Sequence, residues 1–548
     1  MTPCIRRSAV LRGCRVLALV LGPLAGVAPA DTYPRQPGID ALHYVFRITL
    51  GDASDGIEGE ASIRVRFVAS GVTEVVLDLA SPAAGKGMTV AAVASAGAIG
   101  QYVHESDRLR IPLPQPSETG TEQTFIVRYR GIPANGLRFL ANIHGARTVF
   151  SENWPNMARQ WLPMIDHPYD KATGEFIVTA PSHYQVVANG RLVEETDLPG
   201  GRRRTHWQQS VPIASWLYAL GVARFAVHHA GMAQGVPLQT WVFPEDSDGG
   251  IALFEPTTKR AMDFFAERIG PYPYEKLANV QAAGINGGTE HATAIFYGEK
   301  GVAAGRAPVV HEVAHQWWGN AVTERDWDDV WLSEGFATYF SLLFTEHDEG
   351  REAFVAGLQR SRDRVRELEA RTPDTPVIHR NLSDMRRVLN QLVYQKGGWT
   401  LHMLRGLVGD ASFWSAIREY YRAFRDRNAS TDEFRGIVER VAERDLAWFF
   451  DQWLHRSGLP RIEGSWTYDA ERGRVGVEIV QVQPGDAYRF DLDIGIVEHP
   501  GARPRVERIR VEDRRATFAL PASAAPLFLT IDPDAWLLME LGPFRRIP

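Results

Sequence analysis

The sequence predicts a multidomain α+β protein with an N-terminal β-sheet domain, a mainly helical central domain and a small C-terminal β-sandwich domain. Three observations lead to this prediction. The chain has 548 residues, which is the length of about three to four domains. Its hydrophobic pattern changes from strand-like to helical periodicity near residue 250. Strand-like alternation then returns after Pro460.

Residues 1–30 are predicted to be a secretory signal peptide that belongs to none of these domains. Arginines precede an apolar run that ends in an A-x-A cleavage site at Ala30. Pro23 and the shortness of the run disfavour the alternative, an uncleaved membrane anchor. The Arg6-Arg7 pair leaves a twin-arginine signal open, although the residues around it match poorly. We therefore expect a secreted or periplasmic protein.

Charge and cysteine usage restrict the partners of the mature chain. Removal of the signal peptide would remove four arginines and no acidic residue, which changes the formal net charge from −6 to −10. An acidic chain is not expected to bind nucleic acid or anionic lipid. Both cysteines, Cys4 and Cys14, lie in the signal peptide, so any metal must be held by histidine and carboxylate. No second apolar run has membrane-spanning length, so no stable membrane insertion is expected.

The first predicted domain comprises residues 31–230 and reads as short alternating strands. In SIRVRFV at 62–68, aliphatic or aromatic residues alternate with arginine, which is the period of a half-buried sheet. The segments TFIVRYR at 124–130 and EFIVTA at 175–180 have the same pattern. The basic run at 202–204 follows a Gly-Gly turn and is interpreted as a solvated hairpin tip rather than an anion site.

The second predicted domain comprises residues 231–460. Apolar residues at positions 261, 264, 265 and 269 mark one face of a helix. Further helices are predicted around the metal motif described below and near 352–370, 396–408, 412–427 and 431–455.

The third predicted domain comprises residues 461–548 and is interpreted as a small β-sandwich. Phe490, Leu492, Ile494 and Ile496 are predicted to face one side of a strand. The intervening acidic residues at 491 and 493 are predicted to face the other side.

A metal motif begins at residue 311, where the chain reads HEVAHQWWGNAVTERDWDDVWLSEG. His311 and His315 are one helical turn apart on the same face, so both imidazoles can reach one ion. Glu334 follows after eighteen intervening residues and would be the third ligand, which leaves one coordination position for water. The alternative, two unrelated histidines on a helix, is disfavoured because the surrounding residues are apolar and buried polar groups need partners. We predict one zinc ion per chain, with Glu312 beside it.

The residue types indicate hydrolytic chemistry. Zinc polarises a carbonyl oxygen and lowers the pKa of its bound water toward ~7. Glu312 would be the general base that takes a proton from this water and returns it to the leaving amine. Attack on an amide creates an oxyanion that a second fixed donor, such as a phenol, would stabilise further. Spacing alone does not identify that donor.

These segments resemble the M1 family of zinc aminopeptidases, gluzincins that include leukotriene A4 hydrolase. The segment ARQWLPMIDHPYDKATGEFIVTAPSHYQVVANG at 158–190 is similar to the family's N-terminal β domain. FFAERIGPYPYEKLANVQ at 264–281 and VWLSEGFATYF at 330–340 resemble its catalytic domain. The resemblance covers residues 40–460 and implies a thermolysin-like fold for the central domain.

The same resemblance implies roles for residues outside the zinc motif. VYQKGGWTLHML at 393–404 is similar to the segment that carries the family's catalytic tyrosine, which falls on Tyr394. The family's exopeptidase motif, Gly-Ala-Met-Glu-Asn, corresponds to Gly287-Gly288-Thr289-Glu290-His291. By this resemblance Glu290 binds the free α-ammonium of a peptide, and Gly287 and Gly288 belong to the substrate site.

Two departures from the family pattern affect recognition of the substrate. Thr289 and His291 replace a methionine and an asparagine, so the preference for a side chain cannot be transferred. We interpret His291 as structural, because a fourth ligand would displace the water. Trp154 occupies a position where many members have an acidic or amide residue that contacts the amine. That contact is either missing or supplied by Glu152.

The resulting hypothesis is a zinc aminopeptidase that removes N-terminal residues from peptides with a free N-terminus. Three alternatives are a zinc endopeptidase of the thermolysin type, an epoxide hydrolase and a non-catalytic zinc-binding protein. The preferred first residue, the physiological substrate and the oligomeric state are not predicted by the sequence.

Overall fold

The structure is a computed structural model that describes residues 31–95, 98–379 and 382–548. The predicted signal peptide, with Cys4 and Cys14, lies outside the described residues. Along the described chain, sheet-rich and helix-rich regions follow one another as the predicted multidomain α+β class requires, and this class is confirmed. No helix of the described part combines the length and apolar character needed to cross a membrane.

The N-terminal region is a layered β structure. Its largest sheet has the strand order β13-β14-β11-β1-β2-β8-β4-β5, and two smaller sheets have the orders β12-β15-β10-β9 and β3-β7-β6. The alternation at 62–68 is confirmed, since Ile63, Val65 and Phe67 are buried in β2. The strands are β1 (Ile39–Thr49), β2 (Ile57–Phe67), β3 (Glu74–Asp78), β4 (Gly87–Ser95), β5 (Ala98–Ile99), β6 (Val103–Glu105), β7 (Arg108–Pro112), β8 (Glu122–Ile132), β9 (Leu137–Ala141), β10 (Arg147–Ser151), β11 (Lys171–Pro181), β12 (Gln185–Ala188), β13 (Arg191–Leu198), β14 (Arg202–Ala214) and β15 (Leu220–Ala223).

The basic run at 202–204 begins β14, directly after the turn. Arg203 donates to Asp197 and Arg204 donates to Glu194, both on the neighbouring strand β13. These arginines are therefore paired across a hairpin.

The central region combines one mixed sheet with a group of helices. The sheet has the order β16-β17-β18-β20-β19, and the short pair β21 and β22 lies apart from it. The predicted boundary between residues 230 and 231 falls inside β16. The elements are β16 (Ala226–Ala233), β17 (Val236–Val242), α1 (Ser247–Arg268), β18 (Leu277–Ala282), β19 (Gly288–Thr289), β20 (Ala294–Gly298), α2 (Glu299–Ala303), α3 (Val309–His315), β21 (Val322–Glu324), α4 (Trp331–Glu349), α5 (Arg351–Arg371), α6 (Gln391–Val408), α7 (Asp410–Phe424), β22 (Arg427–Ala429), α8 (Thr431–Ala442) and α9 (Ala447–Phe450).

The single helix predicted over 431–455 is wrong, because the chain forms two helices there. α8 ends where Glu443 adopts a left-handed conformation with φ of 52°. The N–H of Leu446 then donates to the Glu439 side chain, and Leu446 is fully buried. Burial of this leucine requires the chain to turn, after which α9 begins and continues as a π-helical turn over Asp451–His455.

The C-terminal region forms two packed sheets, with the orders β27-β24-β23-β29 and β26-β25-β28. Phe490, Leu492, Ile494 and Ile496 are buried in β25, and Asp493, which was predicted to face the other side, is buried as well. Its carboxylate accepts two hydrogen bonds from Arg508, at 2.6 and 2.9 Å, which compensates its charge. The strands are β23 (Arg461–Asp469), β24 (Arg474–Gln481), β25 (Phe490–Val497), β26 (Arg505–Val511), β27 (Arg515–Pro521), β28 (Phe528–Ile531) and β29 (Glu540–Arg546).

Helices α4 and α6 cross at glycines, and this crossing brings two predicted site residues together. A Cβ atom built on Gly335 would lie 3.0 Å from the backbone of Gly397. Glu334 precedes Gly335 on α4, and Tyr394 lies one turn before Gly397 on α6. The backbones can approach this closely only because neither residue has a side chain.

A buried lysine connects α6 to the segment that leads into the C-terminal region. Lys396 is fully buried, and its ammonium donates to Glu369 at 2.8 Å. It also donates to the carbonyl oxygens of Arg456 and Gly458, at 3.2 and 2.9 Å. The first half of α6 is thus held by α5 and by the chain just before β23.

A second buried lysine joins the N-terminal and central regions. Lys276 donates to the carbonyl oxygen of Ala188 at 2.7 Å, and its ammonium lies 4.1 Å from the centre of the Trp207 ring. Burial lowers the pKa of Lys276 to about 7. Desolvation therefore acts against its charge at this junction.

We predict that Gly335→Ala destabilises the protein by about 1–3 kcal/mol, because the new methyl group must separate α4 from α6. The matched control is Gly436→Ala on α8, where a Cβ atom meets no neighbour within 4 Å. That change should stabilise the protein by about 0.5–1 kcal/mol. Urea unfolding measures the free energy of unfolding of both variants. Equal changes in this free energy for Gly335→Ala and Gly436→Ala would contradict the close contact between α4 and α6.

We predict that the stability of the wild-type protein relative to Lys276→Met rises with pH between 7 and 9. The folded-state pKa is about 7 and the unfolded value is about 10.4, so the folded chain loses this proton between pH 7 and 9 while the unfolded chain largely keeps it. Unfolding then takes up a proton. The free energy of unfolding of the wild-type protein therefore increases by about 2 kcal/mol between pH 7 and 9, relative to that of the methionine variant. Urea unfolding at pH 7, 8 and 9 measures this difference, and parallel pH curves would refute the lowered pKa.

Candidate active site

The two histidines of the metal motif lie on the short helix α3. Val313 and Ala314, between them, are fully buried and fix the helix against the core. The Nδ1 atom of His315 lies 3.0 Å from the carbonyl oxygen of Trp318. Because a carbonyl only accepts, Nδ1 carries the proton, and the lone pair of Nε2 is available to a metal.

Glu334 meets these histidines from the first turn of α4. The Nε2 atoms of His311 and His315 are 3.1 Å apart. Glu334 Oε2 lies 3.3 Å from Nε2 of His311 and 3.2 Å from Nε2 of His315. The structure thus brings the three predicted ligand residues to one point, where their donor atoms form a compact triangle.

The triangle fits a zinc ion in both size and charge. Zinc bonds of ~2.0–2.2 Å at tetrahedral angles separate ligand atoms by about 3.3 Å, close to the observed separations. Burial disfavours a charge on His315, yet the carboxylates of Glu290 and Glu334 outweigh it and raise the His315 pKa to about 10. The local potential is therefore strongly negative, and a divalent cation at this point would be stabilised.

Glu312 is buried beside the triangle and packs against the edge strand β19. A Cβ atom on Gly288 would lie 2.5 Å from Glu312 Oε1, so the carboxylate occupies space that only glycine leaves free. Burial and the neighbouring Glu290 carboxylate raise the pKa of Glu312 well above its usual value. A raised pKa is the property that a carboxylate needs to accept and release a proton near neutral pH.

Glu290 follows β19, and its backbone is fixed against the segment after α3. Its carbonyl oxygen accepts hydrogen bonds from Gln316 at 3.1 Å and from Asn320 at 2.6 Å. Its carboxylate atom Oε1 is buried and has no hydrogen-bond partner within the part of the chain that the structure describes. Burial raises the pKa of Glu290 to about 7. A cationic group in the cleft would compensate this carboxylate.

Tyr394 lies in the first turn of α6 and lines the same cleft. Its ring is stacked near that of His311, with 6.2 Å between the ring centres. Burial raises its pKa well above the usual value, with a further contribution from Glu334. The phenol therefore keeps its proton and can donate a hydrogen bond.

The cleft has a volume of about 510 Å³. Glu152 and Trp154 both line it, and the Glu152 carboxylate accepts from the Thr289 hydroxyl at 3.1 Å. Trp154 packs between Trp216 and Trp327. All the residues assigned by the sequence to the site meet in this cleft, namely Gly287, Gly288, Glu290, His311, Glu312, His315, Glu334 and Tyr394.

His291 does not line the cleft that holds the three predicted metal ligands. Its ring packs against Phe296 with 4.9 Å between the ring centres, and burial lowers its pKa to about 4. It belongs to neither group of potential metal ligands in the described chain.

Several cleft residues have no signal in the sequence. Arg138 on β9 reaches the cleft and donates to the carbonyl oxygen of Gly284 at 2.7 Å. Asn286 and Leu389 also line the cleft. They come from distant segments without a motif, so only the folded chain shows that they are neighbours.

A sheet-flanked helical domain with two histidines, a carboxylate and an adjacent buried glutamate defines a zinc metallopeptidase of the H-E-x-x-H class. Sequence comparison agrees: residues 40–217 match the Peptidase M1 N-terminal domain, and residues 256–453 match the Peptidase family M1 domain. The chain belongs to peptidase family M1.

Similar proteins include glutamyl aminopeptidase of Rattus norvegicus, which is 25% identical over 70% of this chain and 42% of its own length. Aminopeptidase N of Streptomyces lividans is 25% identical over 84% of this chain and 55% of its own length. The chain thus spans about half the length of these curated relatives, or less.

Solved structures of the family share the fold. The M1 zinc metallopeptidase from Deinococcus radiodurans has a TM-score of 0.67 and 26% identity, over 77% of this chain and 95% of its own. Aminopeptidase A of Legionella pneumophila has a TM-score of 0.79 over 93% of this chain and 60% of its own, at 18% identity. The latter likeness concerns the fold alone.

We predict that a chelator lowers the melting temperature of the purified protein and that added zinc restores it, because metal binding stabilises the folded state. Glu334→Ala should abolish this zinc response. Glu512→Ala, on the exposed surface of the C-terminal region, is the matched control and should keep it. Differential scanning calorimetry with and without zinc measures both, and a normal zinc response in Glu334→Ala would exclude Glu334 as a ligand.

Proposed function

We propose that the protein is a zinc-dependent aminopeptidase that hydrolyses N-terminal residues from peptides. His311, His315 and Glu334 hold one zinc ion per chain. The observation that favours an aminopeptidase is the carboxylate of Glu290, which is buried beside the metal ligands and has an unpaired oxygen within the described structure. An α-ammonium is the group on a peptide that would satisfy it. The names of the similar aminopeptidases support the same reaction.

The protein's own residues supply binding and proton transfer. Zinc, when bound, polarises the scissile carbonyl and lowers the pKa of a water molecule toward ~7. Glu312 takes the proton of the attacking water on its carboxylate and delivers it to the leaving nitrogen. The phenol of Tyr394 donates a hydrogen bond to the oxygen that becomes negatively charged. Loss of such a donor typically lowers the rate by about two to three orders of magnitude.

Glu290 determines which peptide bond is cut. A salt bridge to the α-ammonium holds the first residue, so the first peptide bond and no later one reaches the metal site. Glu152 lies in the same cleft and supplies the additional acidic contact that Trp154 cannot provide. Its carboxylate is oriented by the Thr289 hydroxyl.

We further propose that the protein is exported and acts outside the cytoplasm. The basic and apolar pattern of residues 1–30, with its A-x-A site at Ala30, supports this location. Cleavage there would leave Asp31 as the first residue of the mature chain.

The role of Glu312 is tested by Glu312→Gln. This variant should lose at least about three orders of magnitude in kcat while its zinc content stays at one ion per chain, because the amide cannot accept the proton. Metal analysis by mass spectrometry and steady-state kinetics measure the two effects. Undiminished turnover would remove Glu312 from the mechanism.

The choice between exopeptidase and endopeptidase is tested with a peptide and its N-acetylated form. The free peptide should be shortened from its N-terminus, and acetylation should reduce kcat/KM by at least about a hundredfold, because it removes the cation that Glu290 binds. In the Glu290→Gln variant, the values of kcat/KM for the free and the acetylated peptide should differ less than in the wild-type protein. Equal cleavage of both forms by the wild-type protein would instead favour an endopeptidase.

A further inference from the structure

Within the described residues, one buried carboxylate outside the active site has no ion pair with a cation. Asp328 lies in the turn between β21 and α4 and is 4% exposed. Among the described residues, neither of its carboxylate oxygens has a hydrogen-bond partner at normal distance. The N–H of Leu382 lies near enough to lower its pKa. Burial nevertheless dominates and, with Asp326 next in effect, raises the Asp328 pKa to about 7.

The basic side chains described near Asp328 contact other carboxylates. Arg35 forms a hydrogen-bonded ion pair with Asp326. His167 Nε2 lies 2.6 Å from the Asp31 carboxylate, which also accepts from the N–H of Tyr33 at 2.9 Å. These contacts compensate Asp31 and Asp326. In the described part of the chain, Asp328 is thus a buried acid with no paired cation, which is costly when it is ionised.

The main chain of Asp31 lies close to this acid. Asp31 is 3% exposed and pairs with Leu382 as a parallel β-bridge, in which the N–H of Thr32 donates to the Leu382 carbonyl at 3.4 Å. The N–H of Trp327, the residue before Asp328, lies 3.5 Å from the Asp31 carboxylate. Asp31 and the N–H of Leu382 both influence the pKa of Asp328, so both lie close to its carboxylate.

We propose that Asp328 forms a buried site for a primary ammonium and that its ligand is the α-ammonium of Asp31. The inference rests on the proposed removal of residues 1–30. Hydrolysis of the Ala30–Asp31 bond by a signal peptidase consumes one water, leaves a carboxylate on Ala30 and creates the α-ammonium on Asp31. The uncleaved chain has a neutral amide at this position and cannot supply the charge.

The turn that contains Asp328 leads directly into the helix that carries Glu334. Asp328 belongs to the turn that enters α4, and Glu334 lies in the first turn of that helix. Pairing of Asp328 with the new N-terminus fixes this turn.

The test compares a protein that begins at Asp31 with one that retains Pro29 and Ala30 in front of it, each with and without Asp328→Asn. A fusion cleaved directly before Asp31 yields the first form. In that form, Asp328→Asn should lower the melting temperature by at least about 2 °C, because it leaves the buried ammonium unpaired. In the extended form, the same change should leave the melting temperature unchanged or raise it.

Asp329→Asn is the matched control. The Asp329 carboxylate accepts from the Thr431 hydroxyl at 2.6 Å, so its replacement should have the same effect in both forms. Equal effects of Asp328→Asn in the two forms would overturn the proposal. An N-terminus other than Asp31, found by sequencing the exported protein, would also overturn it.

A chemical measurement covers the case in which Asp328→Asn does not fold. Acetylation of the α-amine of Asp31 at pH 7, followed by mass spectrometry, should be at least about tenfold slower in the folded wild-type protein than in urea. Equal rates would show a free amine and refute the ion pair. None of these measurements depends on peptidase activity, so failure of the proposed enzymatic function would be recognised separately.

Discussion

The carboxylates of Glu152, Glu290, Glu312 and Glu334 are concentrated in one poorly solvated cleft, and the function depends on how their charge is compensated. Arg138 lowers the pKa of Glu152, but burial still raises it overall. Carboxylates this close cannot all stay ionised unless cations join them. A divalent metal and, in the proposed function, the ammonium of a peptide are the cations that would compensate this charge. Metal binding and the proposed substrate binding would then lower the same electrostatic repulsion.

The cleft also depends on places where the backbone must have no side chain. Gly288 leaves room for the Glu312 carboxylate, and Gly335 with Gly397 lets α4 lie directly on α6. A methyl group at any of these positions would displace a residue that lines the cleft. Tight packing of this kind transmits small shifts, because a protein interior has few voids to absorb them.

The sequence predicted much of this arrangement, for reasons that are local or carried by motifs. The zinc triangle follows from helical spacing and from the fixed separation between His315 and Glu334. The strand at 62–68 follows from its alternation. Tyr394 and Glu290 could be assigned only by resemblance to a family, because no local pattern relates them to the metal.

Other features depend on contacts between distant segments and were not predictable. The turn at Glu443 exists because Leu446 is buried, which no helical periodicity reveals. Asp493 is buried because Arg508, on the neighbouring strand, pairs with it. Arg138 enters the cleft from β9, far along the chain from the metal motif. In each case a tertiary contact outweighs the local pattern.

The contacts of Lys396 have a consequence for the architecture of the whole chain. Its ammonium is held by Glu369 and by two carbonyl oxygens of the segment immediately before β23. Tyr394 stands only two residues earlier on the same helix. The segment that joins the central region to the C-terminal sandwich therefore stabilises the helix that carries Tyr394. A catalytic domain truncated before this segment would lose these hydrogen bonds to Lys396.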